Sequence, residues 1–236
     1  LRTTKAIFKR ELRSYFSSPI GYIYLVAFLV LVNWIFLRGF FLFGQASYRG
    51  LFTVLPWIFL LFVPAITMRL WAEERKLGTD ELLMTLPITN AQAVSGKFLA
   101  SFAFFSISVF LTALLPITGL FIGRPDPGPI ICGYLGILLI GAAYLSIGMF
   151  ASGLTDNQIA AFIMAIVMSF ALFIIGENVV IMTLPGFAAS LFRFLGLGSH
   201  FQSIARGVID TRDLVYYLSV IGFFLFLNVR NLERSR

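Results

Sequence analysis

Long apolar blocks separated by short polar joints make up most of the chain, and within each block the apolar residues run on without alternation. Six blocks, Ile20–Leu37, Leu51–Leu70, Phe98–Ile122, Ile130–Ser152, Ile159–Met182 and Leu214–Val229, have about the length a helix needs to cross a hydrocarbon core. Strands of a membrane barrel would alternate apolar and polar residues, which these blocks do not. The pattern predicts an all-α, polytopic membrane fold with six transmembrane helices, forming one domain over residues 1–236. The last block is the shortest, and Tyr216–Tyr217 beside it suit a membrane interface.

The segment 1–18 before the first block has its own periodicity. Phe8, Leu12 and Phe16 recur every four residues with Ile7 and Tyr15 alongside, while Lys5, Lys9, Arg10 and Arg13 form a basic flank. This predicts an interfacial amphipathic helix ending at Ser17–Ser18–Pro19. Ordinary basic flanking sequence is the alternative.

One joint departs from the rest. Between the second and third blocks, residues 69–97 read RLWAEERKLGTDELLMTLPITNAQAVSGK. Ala72–Lys76 predicts a continuation of the second helix out of the membrane, and Gly78 a break. Thr79 is placed to cap a short helix with Asp80 and Glu81 in its first turn, where acids suit the helix dipole. That helix would present Leu82, Leu83 and Leu86 before Pro87 stops it. Thr89 and Gln92 have capping-box spacing and would start the helix that re-enters as the third span. A connector needs only a few residues, so this one reads as a docking element for a partner, although a solvated loop also fits.

Composition narrows the class. Of 236 residues, 59% are hydrophobic and 12% charged, against about 25% charged in a soluble domain. The net charge of +7 does not point to nucleic acid, because the basic residues flank apolar blocks and form no continuous face. Six spans put both termini on one side. That side carries Arg2, Lys5, Lys9, Arg10, Arg13, Arg69, Arg75, Lys76, Lys97, Arg230, Arg234 and Arg236; the other carries only Arg38, Arg49, Arg124, Arg193, Arg206 and Arg212. This bias predicts cytoplasmic termini and a cytoplasmic 71–97 segment.

Candidate chemistry is sparse. Gly96–Lys97 is no phosphate loop, since Phe98 follows it and Ala91 stands where the loop's first glycine belongs. Gly196 and Gly198 lack a third glycine. One cysteine, Cys132, allows no internal disulfide, and one histidine, His200, excludes most metal and triad chemistry. We expect no catalytic residue, metal or cofactor in this chain. Candidate gate or pathway residues are Asn33 in the first span, Glu177 and Asn178 near the outer end of the fifth, and His200. Interfacial pairing of Glu177, helix–helix packing for Asn33 and a surface or capping role for His200 are the plainer alternatives. Pro56, Pro64 and Pro116 predict kinks, and Gly133, Gly136, Gly141 and Ala142 predict close packing of the fourth span. The outer segment 183–213 is too apolar for a free loop; Leu184–Leu197 and Phe201–Ile209 read as two short helices, with Thr211 capping the last span.

The combination Met68–Arg69, Ala72–Glu73–Glu74–Arg75, Gly78–Thr79, Glu81–Leu82–Leu83 and Thr85–Leu86–Pro87 resembles the signature of ABC-2-type transporter permeases (type V exporter-like), nearest to the gliding-motility-associated and copper-processing groups. The run Phe201–Asp210 is also similar to that subgroup. The resemblance implies a connecting helix at the amino terminus, a coupling helix between spans two and three, and outer-leaflet re-entrant helices. It implies two separate ATP-binding subunits, holding ATP and Mg2+, and a second permease copy or related chain meeting the first and fifth spans. A periplasmic or membrane auxiliary protein is a further implied partner, and the bacterial cytoplasmic (inner) membrane is the implied location. Carried onto this chain, the ATPase contacts would be Glu73, Glu74, Arg75, Gly78, Thr79, Glu81 and Leu82.

Three other classes remain at this stage. An ion-coupled secondary carrier should show midplane ionisable residues or an internal repeat, and an intramembrane enzyme two convergent catalytic groups. The third is a non-transporting membrane anchor for an ATPase complex. The leading expectation is the permease subunit of an ATP-driven transporter, working in export or in transmembrane signalling.

Overall fold

The computed structural model describes residues 2–43, 48–79, 88–116, 127–182, 185–207 and 210–234, and all regular structure among them is helical. In order, the helices are α1 (Arg2–Ser17), α2 (Pro19–Phe43), α3 (Arg49–Thr67), α4 (Ala72–Leu77), α5 (Asn90–Leu111), α6 (Pro127–Ser152), α7 (Gln158–Ile174), α8 (Asn178–Ile181), α9 (Gly186–Leu195), α10 (Leu197–Ala205) and α11 (Thr211–Arg234). Five stretches are long and apolar enough to cross a bilayer: Pro19–Arg38, Gly50–Leu77, Asn90–Pro116, Pro127–Ser152 and Thr211–Glu233. The last is longer than its apolar block, because the helix carries polar residues beyond both ends of it.

The expected fifth span, Ile159–Met182, is not one helix. Its helical part, α7, has 17 residues, roughly 26 Å of rise and the low end of what crosses hydrocarbon. The chain breaks at Gly176, where the backbone of Gly196 comes so close that a Cβ on Gly176 would lie 2.7 Å from the Gly196 Cα. Glu177 is then extended and precedes α8 without a side-chain capping bond. An apolar sequence hides this break, which lies against the α9–α10 joint.

The axis of the bundle is α6, against which α3, α5, α7, α10 and α11 pack. Its small residues make room for large neighbours, as the sequence spacing suggested: Gly133 lies under Phe52, Gly136 under Ile204, Gly141 under Phe105 and Gly148 against Thr67. Internal bonds sort the helix ends into two groups. At the end holding the amino terminus, Tyr15 donates to the Ile66 carbonyl (3.2 Å) and Ser152 donates to the Met68 carbonyl (2.9 Å). At the far end, Tyr48 donates to the Leu115 carbonyl (3.2 Å) and Tyr217 to the Leu197 carbonyl (2.8 Å).

Several local expectations meet the structure directly. The Thr89–Gln92 capping box forms, with both reciprocal bonds at 3.3 Å, so the third span starts at Asn90 and not at Phe98. Gly78 ends α4 with φ 65°, a left-handed cap open to glycine. The second apolar stretch runs on through Ala72–Lys76 to Leu77, with a turn at residues 68–71, where the Ser152 hydroxyl accepts from the Trp71 and Ala72 amides (3.1 Å each) in place of helical acceptors. One expectation is corrected. The cap of α11 is Asp210, whose carboxylate accepts from the Arg212 amide at 2.9 Å, one residue before the expected Thr211.

The amino-terminal helix α1 lies along α5. Ile7 and Tyr15 are its buried residues, and Tyr15 stacks on Phe104 with centroids 4.6 Å apart. Gly96 permits the approach: a Cβ there would sit 2.8 Å from Ile7 Cγ2 and 3.2 Å from the Thr4 carbonyl oxygen. Gly96→Val should therefore push α1 off α5 and cost about 1–3 kcal/mol, read as a lower melting temperature in detergent. Gly222→Ala, with nothing within 4 Å, should be neutral or stabilising by up to about 1 kcal/mol. Equal melting for Gly96→Val and wild type would refute the close-packing role.

Candidate functional site

The charged segment is rooted in a network that sequence spacing did not reveal. Lys97, two turns into α5, is 1% exposed. Its ammonium donates to Glu74 Oε1 (2.7 Å), to the Leu70 carbonyl (2.8 Å) and to Glu11 Oε1 (3.4 Å), and lies 4.8 Å from the centre of the Trp71 ring. Arg10 closes the cluster, donating to Glu11 at 2.7 Å and Glu74 at 3.2 Å. Four charges from α1, α4 and α5 thus neutralise one another pairwise. Burial pushes the Glu11 carboxyl up, but the charge of Lys97 and the Arg10 bond outweigh it and hold Glu11 below the usual carboxylate range. Beneath lies an apolar platform separate from the main core: Ile7, Leu70, Trp71, Ala93, Val94, Met149 and Leu232.

This geometry redistributes the expected contact residues. Glu74 faces inward to Lys97. Glu73 and Arg75 are half-buried, while Gly78 and Thr79 are exposed at the end of α4, with the Thr79 hydroxyl donating to the Glu74 carbonyl at 3.3 Å. Glu81 and Leu82, with Asp80, Leu83, Leu86 and Pro87 of the expected coupling helix, lie outside the described residues.

The candidate gate residues divide into two places. Asn33 is bonded to its own helix, donating to the Leu29 carbonyl at 2.7 Å. Glu177, Asn178 and His200 belong to one far-end assembly. Gln202 of α10 donates to Glu177 Oε2 at 3.1 Å, so the carboxylate pairs with a side-chain amide. Asn178 is exposed as the first residue of α8. His200 is neither a cap nor a free surface residue. Its Nδ1 lies 2.7 Å from Asp213 Oδ1 and its Nε2 lies 3.0 Å from the Phe194 carbonyl, with the ring stacked on Tyr216 at 3.9 Å. Each ring nitrogen faces an oxygen atom of a neighbouring element.

Sequence reading missed Lys97, Ser152 and Asp213. One sign was available for Lys97: the Thr89 cap places it inside the helix, where a lysine among Val94, Phe98 and Ser101 calls for an acid. Nothing in the spacing identifies Glu74 and Glu11 as those acids. Among the described residues no cluster of metal-ligand side chains occurs.

The family described as ABC-2 family transporter protein matches residues 42–227. No curated protein matches the chain. The matched span takes in α3 to most of α11 and the root of the charged segment, with five apolar helices of spanning length in the same chain. The chain belongs to the ABC-2 family of transporters, as a multi-pass membrane component.

Proposed function

We propose that this chain is the permease half of an ATP-driven transporter, in which a separate ATP-binding subunit docks on the 72–89 segment. The observation that carries the reading is the Lys97 network, which fixes the root of that segment to α1 and α5 at once. A push on α4 therefore displaces the amino-terminal helix and the third span together, instead of being lost in a slack loop. Two ATP-binding subunits, with their ATP and Mg2+, and a second permease would complete the machine, joined by an auxiliary membrane or periplasmic protein where force is transmitted. The basic excess at the termini end supports cytoplasmic termini in a bacterial inner membrane. The Glu73–Leu86 and Phe201–Asp210 runs support the gliding-motility and copper-processing groups, and export or transmembrane signalling as the output. Glu73, Arg75, Gly78, Thr79, Glu81 and Leu82 are the docking residues in this reading, and Glu74 is the transmitter behind them.

Docking is tested by Thr79→Cys in a Cys132→Ser background. A short bifunctional cross-linker should join Thr79→Cys to a co-purifying ATP-binding subunit. A stable complex with no such subunit, or a position 79 that never links to it, refutes the proposal.

The network is tested by a double-mutant cycle. Lys97→Met leaves the half-buried Glu11 and Glu74 carboxylates to share Arg10 and should cost about 3 kcal/mol, whereas Lys97→Met with Glu74→Leu should recover most of the loss. Additive losses would show that the pair is not coupled.

A pH series adds a signed check on Glu11. Because its folded carboxyl is held low, its contribution to stability is complete above its ordinary value of 4.5 and is lost as pH falls through the depressed one. Wild type should lose thermal stability below pH 4.5 more steeply than Lys97→Met.

A further inference from the structure

Packing within the chain does little to hold the short helix α9 in place. None of its residues is buried, and Phe187 and Phe194 are 86% and 64% exposed. Its last turn is fixed instead through three consecutive carbonyls. The Ser199 hydroxyl donates to the Arg193 carbonyl (2.5 Å) and the Tyr216 hydroxyl to the Leu195 carbonyl (2.5 Å), while the Phe194 carbonyl between them lies 3.0 Å from His200 Nε2. Serine and tyrosine hydroxyls keep their protons through the neutral range, whereas an imidazole gains and loses one between about pH 5 and 8. The chain has one histidine, so no other imidazole in it titrates in this window.

The other side of the ring faces a buried acid. His200 Nδ1 lies 2.7 Å from Asp213 Oδ1. Asp213 is 6% exposed, and its Oδ2 is buried with no hydrogen-bond partner among the described residues. It stands in the first turn of α11, where the helix dipole favours a carboxylate. The Tyr216 ring stacked on His200 offers a face that attracts a cation. The remaining charged and titratable groups on the surrounding elements are engaged elsewhere or open to solvent. Tyr217 donates to the Leu197 carbonyl, Glu177 accepts from Gln202, and Arg206 donates to the Gln202 carbonyl. Tyr144 of α6 is buried against Phe173, and Arg193, Asp210 and Arg212 are exposed. Neither α7 nor residues 50–67 of α3 carry such a group.

We propose that His200 is a proton-operated latch between α9 and α11. A neutral imidazole carries one N–H and serves one of its two oxygens; an imidazolium carries two and serves both. With the ring doubly protonated, Nδ1 donates to Asp213, Nε2 donates to the Phe194 carbonyl, and α9, α10 and α11 are held as one unit. When one proton leaves, the other stays on the side of the carboxylate, the stronger acceptor. A bare nitrogen then faces the Phe194 carbonyl, and α9 keeps only its Ser199 and Tyr216 links. The latch is therefore closed on the acid side of the window and loosens as pH rises. It lies at the far end and involves no ATP-binding subunit, so it stands or falls apart from the proposed coupling.

Hydrogen exchange of the full complex, read by mass spectrometry at about pH 5.5 and about pH 8 and normalised to the unfolded-peptide rate at each pH, tests the latch. In wild type, protection of residues 186–196 should fall about tenfold from the lower pH to the higher, as expected for one hydrogen bond to a charged group. His200→Gln and Asp213→Asn should each hold that protection constant within about twofold. Tyr216→Phe, which keeps the ring under His200 and loses the neighbouring bond to α9, should lower protection at both pH values and preserve the ratio. Residues 90–111 of α5 should show no pH response in any of these proteins. A wild-type segment whose protection is independent of pH would overturn the latch, with no variant needed. So would a tenfold fall that persists in His200→Gln or Asp213→Asn, or one shared by residues 90–111.

Discussion

The placement of one buried cation, Lys97, decides how the rest of the termini end is built. An ammonium that is 1% exposed must be neutralised, because the cost of stripping water from an unpaired charge is several kcal/mol. Two carboxylates and a backbone carbonyl do this, from three separate pieces of chain. Glu11 places α1 on α5, Glu74 places α4 above them, and the Leu70 carbonyl orients the turn from which α4 departs. That turn exists because Ser152 of α6 satisfies the amides of Trp71 and Ala72. The charged segment therefore leaves the bundle in a direction fixed by four helices. Arg10 supplies the second cation, so that neither carboxylate is left as a net buried charge.

The opposite end is organised on different chemistry. There α11 acts as the post, and the short helices hang from it by bonds of its first two turns: Asp213 to His200, Tyr216 to the Leu195 carbonyl and Tyr217 to the Leu197 carbonyl. The Gln202–Glu177 bond then ties α10 to the broken end of α7. Each link is a single side chain reaching a neighbouring element, and among the described residues no ion network is shared there by three helices.

How much of this was legible depended on whether the cause lay within a few residues. Five of the six apolar blocks, the Thr89–Gln92 box and the Gly78 stop are local, and among the described residues the structure forms them. The break of the fifth span at Gly176 was not readable, because Ile174, Ile175 and the residues before them fit a continuing helix, while the close neighbour at the break is the backbone of Gly196, twenty residues on. Lys97 likewise reads as the last basic residue of a loop until its helix is known to begin at Asn90. Glu74 shows the converse error. An acid in a charged loop looks like a partner contact, and only the fold shows that it is turned inward on Lys97. The residues that would form the coupling helix itself fall outside the described part of the chain.

Moving a charge is costlier at the root of the segment than at its tip, and this sets how a displacement of α4 is shared. Sliding α4 alone would separate Glu74 from Lys97 at 2.7 Å and leave the ammonium buried beside fewer acceptors. Moving α4, α1 and α5 together keeps the ion pairs of the cluster, and its cost falls on the contacts with Met149 of α6 and Leu232 of α11 and on the Ser152 bonds to the turn. Apolar contacts are non-directional and exchange partners at small cost, whereas the ion network has one good geometry. Of the two displacements, the shared one keeps the buried ammonium paired. Because α5 continues from that platform into the bundle and packs on α6, the shift reaches the axis against which the other spans are held.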